Sequence, residues 1–95
     1  MVNDYFVYMM SNTKRGVIYI GVTGSLKERV IDHKKGGGSK FTSKYKLKSL
    51  VYFELYTDPE SAIQREKQLK AGSRAKKVAL IEERNPDWKD LFPEI

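Results

Sequence analysis

Residues 19–29, Tyr19-Ile20-Gly21-Val22-Thr23-Gly24-Ser25-Leu26-Lys27-Glu28-Arg29, pass from a β-rich run into a helix start, and the rest of the chain falls into place around that transition. The run Val17 to Val22 is rich in β-branched and aromatic side chains. A matching run, Tyr5 to Met10, precedes it across Ser11-Asn12-Thr13-Lys14-Arg15-Gly16, which has loop composition and a closing glycine. The two runs are expected to pair as an antiparallel hairpin. Ser25 followed by Glu28 has capping-box spacing and predicts a helix through about Lys35, stopped by Gly36-Gly37-Gly38. Strand alternation puts Phe6, Tyr8 and Met10 on one face and Val17, Tyr19 and Gly21 on one face, so two phenols can share a side of the sheet. Arg29 and His33, four apart, share a helix face beside Leu26 and Val30, which must dock on that sheet. Two phenols, a guanidinium and an imidazole form a set suited to a phosphate ester.

The chain has 95 residues and a formal charge of +6, room for one domain, residues 1–95, with an anionic partner favoured. Hydrophobic residues at 40% suffice for a core, so the 32% of charged residues are read as a solvated surface. Cysteine is absent, which excludes disulfides, thiolate metal sites and cysteine nucleophiles and fits a reducing compartment; the cytoplasm is the expected location. The opening Met1-Val2-Asn3-Asp4 has no leader signature, and no apolar stretch approaches the ~20 residues of a membrane span. One histidine excludes two-histidine zinc motifs, and neither a P-loop nor a G-x-S-x-G elbow occurs.

Downstream, Leu50 to Tyr56 reads as a third strand. Asp58 caps a helix that has Pro59 at its first position and ends at Gly72, and Ser73 caps another to about Arg84, broken by Asn85-Pro86. Trp88 and Leu91 are expected to pack down. The fold class is therefore α+β: a three-stranded antiparallel sheet flanked by helices, in the order β-β-α-β-α-α. Glu66 stands out, because helical period places it with Ala62, Ile63 and Leu69 toward the interior, where a carboxylate needs compensation. A metal ion or Arg29 would provide it; so would a salt bridge to Arg65 or Lys70. Lys34, Lys35, Lys40 and Lys44 surround Phe41 and Tyr45, and Lys70 lies on the later basic face. Cations interleaved with aromatics suit a phosphate backbone with stacked bases, or equally a solubilised loop.

Phe6-Val7-Tyr8, Tyr19-Ile20-Gly21, Arg29, His33 and the later helical Glu66 together resemble the GIY-YIG endonuclease superfamily, in particular its small single-domain, UPF0213-like bacterial members. The resemblance runs over nearly the whole chain, including Lys40-Phe41-Thr42 and Ala62 to Lys70. It implies hydrolysis of a nucleic-acid phosphodiester with one divalent ion, Mg²⁺ or Mn²⁺. Carried over, Tyr8 and Tyr19 match the two motif tyrosines, Arg29 the phosphate-binding arginine, His33 an active-site helper and Glu66 the metal ligand. The first glycine and isoleucine of the name-giving triplet are Phe6 and Val7 here, and the lysine that some repair nucleases carry after the second triplet is Val22.

All five residues are expected on one concave surface. Arg29 offers a planar fork for two phosphate oxygens, and Tyr8, Tyr19 and His33 collectively supply the base, with Tyr19 ahead on the strength of the resemblance. The expected partner is nucleic acid, DNA before RNA, for a monomer that cuts with structural selectivity or weak specificity; a targeting protein is left open. Two alternatives stand beside this: a basic module that binds nucleic acid without cutting, and a domain whose basic face docks an acidic protein.

Overall fold

The computed structural model describes residues 4–95; Met1 to Asn3, and with them most of the opening segment read for a leader, lie outside the described residues. Strands β1 (Tyr5–Ser11), β2 (Tyr19–Thr23) and β3 (Ser49–Tyr56) form one antiparallel sheet in the order β2-β1-β3. The central strand is apolar without alternation because both its faces are covered. Val7 and Met9 join Ile20, Val51, Tyr52, Ala62, Leu69, Ile81 and Trp88 on one face, while Tyr8 and Met10 join Leu26, Val30, Leu47 and Leu50 on the other. A β-bulge allows this split: Met9 pairs with Tyr52 but Met10 with Leu50, so Val51 is an extra residue. Leu50 thereby faces one layer while Val51 and Tyr52 both serve the other.

Helices α1 (Leu26–Lys34) and α2 (Lys40–Tyr45) lie on the Tyr8 side; α3 (Pro59–Ala71) and α4 (Arg74–Arg84) cover the Val7 side. The order β-β-α-β-α-α holds, with α2 added in the segment read from sequence as a basic loop. Its start is a local cap, the Ser39 hydroxyl accepting from the Thr42 amide at 3.1 Å. Its end is Lys46 in the left-handed region (φ 55°), which turns the fully buried Leu47 into the core. Asp58 and Ser73 cap α3 and α4 as expected, accepting from the amides of Ser61 and Lys76.

Ser25 does not form its capping box. Its side chain makes no cap bond, and its own amide donates to the Thr23 hydroxyl at 3.0 Å, so the turn is tied from the strand side. Ile63 also departs from expectation: it is 41% exposed, because the buried apolar contact of α3 with the sheet is made by Ala62 and Leu69.

Beyond α4 the chain returns along the outer edge of β3. The Asn85 amide donates to the Val51 carbonyl (3.1 Å), the Asp90 carboxylate accepts from the Leu50 amide (3.0 Å), and the Leu91 amide donates to the Leu50 carbonyl (2.7 Å). Trp88 and a 3-10 turn at Phe92–Glu94 complete the segment. No described helix is long and apolar enough to cross a membrane.

Candidate active site

Tyr8 sits in mid-sheet opposite Gly21, and the lack of a side chain there makes room for its ring: a Cβ on Gly21 would lie 2.6 Å from the Tyr8 hydroxyl. The phenol therefore lies flat across β2 and points at α1, where its oxygen is 2.8 Å from His33 Nε2. Tyr19, two residues from Gly21 on β2, closes the cluster with ring centroids 6.2 Å from Tyr8 and 5.5 Å from His33. Tyr8, Tyr19, Arg29 and His33 are thus brought together from β1, β2 and α1, as alternation and helical period require.

The segment after the glycine run holds the two helix-borne groups. Gly36 takes the left-handed conformation (φ 85°) that ends α1. Gly38 then packs directly on the imidazole, where a Cβ would be 2.0 Å from Nδ1, and its carbonyl accepts from the Arg29 guanidinium at 2.7 Å. His33 Nδ1 is 3.0 Å from the Thr42 hydroxyl, itself 2.9 Å from the Ser39 hydroxyl. Ser39 and Thr42 were not among the site residues expected from sequence; the signal was their i, i+3 spacing behind a glycine stop, the mark of a helix cap.

Burial and the neighbouring Tyr19 push the Tyr8 phenol up to about 12, against the pull of Arg29, so it keeps its proton at neutral pH. Burial, then the Arg29 cation, lowers His33 below its ordinary value, so the imidazole is neutral there. Arg29 is held above its ordinary value, first by the Tyr8 hydroxyl. The arrangement is one fixed cation beside a protonated phenol that is hydrogen-bonded to a neutral imidazole.

Glu66 departs from the single concave surface expected for the five residues: α3 covers the Val7 face of the sheet, so the carboxylate approaches from the other side. It lies on α3, across the sheet from α1, and its carboxylate pairs with Lys70 at 3.1 Å, one of the two salt-bridge partners weighed from sequence. No hydrogen bond or ion pair among the described residues links it to Tyr8, Tyr19, Arg29 or His33. What connects the two sides is a groove of about 270 Å³ around the β2 edge, lined by Ile18, Tyr19, Ile20, Phe41, Lys70 and Lys77. The more elaborately compensated carboxylate is Glu54 on β3, bound by Arg65 through two bonds (2.9 and 3.0 Å) and by the hydroxyls of Tyr52 and Tyr56.

Among the expected nucleic-acid contacts, Lys35, Lys40 and Lys44 are exposed and Phe41 is 42% exposed, its ring tilted against Tyr45 at 4.9 Å and Tyr19 at 6.1 Å between centroids. Lys70 lies in the groove. Lys34 is withdrawn from that set: its ammonium pairs with Asp90, donates to the Lys48 carbonyl and lies over the Phe92 ring.

Residues 4–79 match the GIY-YIG catalytic domain. A UPF0213 protein of Staphylococcus aureus is 35% identical over 82 residues, which span 86% of this chain and 99% of that protein. A UPF0213 protein of Staphylococcus saprophyticus is 33% identical over 81 residues, spanning 85% and 98%. The solution NMR structure of a UPF0213 protein from Bacillus halodurans superposes with a TM-score of 0.57 at 28% identity, covering 92% of each chain.

Proposed function

The chain belongs to the GIY-YIG catalytic-domain family, and on that premise we propose that it is a metal-dependent endonuclease that hydrolyses nucleic-acid phosphodiesters, with DNA as substrate and structural selectivity or weak specificity. The observation that carries the proposal is the convergence of Tyr8, Tyr19, Arg29 and His33 in one cluster between β1, β2 and α1, with Tyr8 and His33 at 2.8 Å.

Arg29, anchored by one N–H to the Gly38 carbonyl and set beside the Tyr8 hydroxyl, has the donors left over for the non-bridging oxygens of a phosphate. Tyr8 is too weak an acid to stand as a free phenolate, and its hydroxyl is coupled to a neutral imidazole. As the Tyr8 oxygen takes a proton from the attacking water, its own proton passes to His33 Nε2, leaving hydroxide equivalent to attack phosphorus and an imidazolium behind. On this reading the base is the Tyr8–His33 pair rather than Tyr19, whose phenol at the groove mouth orients the phosphate. The cation left on His33 is close to the incoming negative charge and favours the pentacoordinate state.

Glu66 is the group for the divalent ion. Among the described residues no three His, Cys, Asp or Glu side chains cluster as a metal site, so the donor set fits only an ion that keeps most of its waters and completes its shell with substrate oxygens, as Mg²⁺ does. Bound there, Mg²⁺ or Mn²⁺ would neutralise charge on the leaving oxygen. The ion pair with Lys70 also supports the second reading, a basic module that binds without cutting, because the carboxylate already has a counter-charge.

Labelled single-stranded, duplex and branched DNA, each with Mg²⁺, Mn²⁺ or chelator, separate the two. Metal-dependent products are expected, with Arg29→Ala and Glu66→Gln each losing on the order of 10²-fold or more in rate while still binding. Glu66→Gln should melt within ~0.5 kcal/mol of the parent, since its Lys70 partner is half in water. Binding without cleavage under every condition would establish the second reading.

A further inference from the structure

We propose that Thr42 is a positioning residue that fixes the tautomer of His33, holding the ring proton on Nδ1 so that the Nε2 lone pair receives the Tyr8 hydroxyl. This rests on the catalytic reading above for its consequence, but not for its geometry.

The bonding can be counted from both ends of the ring. At the Tyr8 end, the phenol oxygen is 2.8 Å from His33 Nε2 and feels the charge of the Arg29 guanidinium, which has donors only. If Nε2 carried the proton, the oxygen would face donors from both and its own hydrogen would be left to the Tyr19 phenol. With Nε2 unprotonated, the Tyr8 O–H donates to it and the oxygen lone pairs remain for Arg29.

At the other end, Thr42 Oγ1 lies 3.3 Å from the Ser39 carbonyl, which can only accept, 2.9 Å from Ser39 Oγ and 3.0 Å from His33 Nδ1. A hydroxyl has one hydrogen and two lone pairs. Donating to the carbonyl, Thr42 accepts from both Nδ1–H and the Ser39 hydroxyl, and Ser39 Oγ in turn accepts from the Thr42 amide at 3.1 Å. Every polar atom of the chain is then used, in keeping with the absence of unpartnered buried side-chain N or O atoms among the described residues.

No water can stand in for Thr42. Gly38 covers the imidazole so closely that even a methyl carbon would reach 2.0 Å from Nδ1, and His33 is 1% exposed. The α2 cap therefore does two jobs: it starts the helix, and it turns a hydroxyl onto the ring. Without that hydroxyl a buried Nδ1–H has no acceptor, and the proton moves to Nε2, where it blocks transfer from Tyr8.

The chain has a single histidine, so its ring nitrogens can be observed alone in ¹⁵N-labelled protein. Wild type is expected to show a protonated Nδ1 and an unprotonated Nε2. Thr42→Val, which keeps the shape and removes the hydroxyl, should shift population to Nε2–H and lower kcat on the order of 10- to 100-fold with KM unchanged, and Thr42→Ser should restore both. A wild-type spectrum with the proton on Nε2 overturns the proposal even if no variant folds well, as does an unchanged tautomer in Thr42→Val. A wild type with the expected tautomer but no cleavage on any substrate supports the positioning role and overturns the nuclease reading alone.

Discussion

Tyr8 can occupy the middle of the sheet only because its cross-strand neighbour has no side chain, and that dependence is testable at one atom. Gly21 has no unusual backbone angle to require glycine, so the demand is one of space. Gly21→Ala would drive a methyl into a fully buried, hydrogen-bonded phenol; the expected cost is ~1–3 kcal/mol in stability, read by denaturant titration, together with loss of the Tyr8–His33 bond and of cleavage. An alanine variant with native stability and activity would show that the ring can move aside. Individual residues were unevenly legible from sequence. Tyr8, Tyr19, Arg29 and His33 could be placed because strand and helix periods fix direction. Lys34 could not, because its partner Asp90 arrives from the far end of the fold. Glu66 was recognised as facing inward, but period alone does not say which side of a sheet a helix covers.

At the scale of elements, β3 and α3 are joined through a partly buried charge pair, Glu54 with Arg65. Burial raises the Glu54 pKa, but the bonds from Arg65, Tyr52 and Tyr56 outweigh it and leave the carboxyl below its ordinary value of 4.5. The unfolded chain then binds the proton more readily than the folded one. The extra stability is present above the unfolded pKa and is lost as pH falls through the folded one, in the range below 4.5. Glu54→Gln should lose ~1–3 kcal/mol at neutral pH by leaving Arg65 without its counter-charge, and its stability should fall less steeply into acid than that of wild type; parallel melts from pH 7 to pH 3 would measure both, and parallel acid limbs would remove Glu54 from the account. Element boundaries were largely readable, since Asp58-Pro59, Ser73 and the glycine run are local signals. The exceptions have local causes as well: α2 is too short to show periodicity, and the Thr23 hydroxyl outcompeted the Ser25 box for the same turn.

At the scale of the whole molecule, one group of cations lies near the β2 edge, where Lys40 and Lys44 flank the Phe41–Tyr45 pair and Lys70 and Lys77 line the groove beside Tyr19. If this patch follows a phosphate backbone, log affinity falls linearly with log salt, and each neutralised contact reduces the slope by about 0.7–0.9. Lys40→Gln and Lys44→Gln should each do so with no change in melting. Lys34→Gln should do the opposite, leaving the slope intact and lowering stability, because its charge serves Asp90. Equal slopes for all three would assign Lys40 and Lys44 to solubility. The strap formed by Asn85, Asp90 and Leu91 on β3 also has a consequence for biosynthesis. Among the described residues, the outer edge of β3 at Leu50 and Val51 finds its hydrogen-bond partners in residues 85–91, so during translation this strand waits with an open edge for some forty residues of chain. Sealing of the sheet waits until residues 85–91 have emerged, and until then the nascent chain carries a sticky margin that chaperones or a second nascent copy can reach.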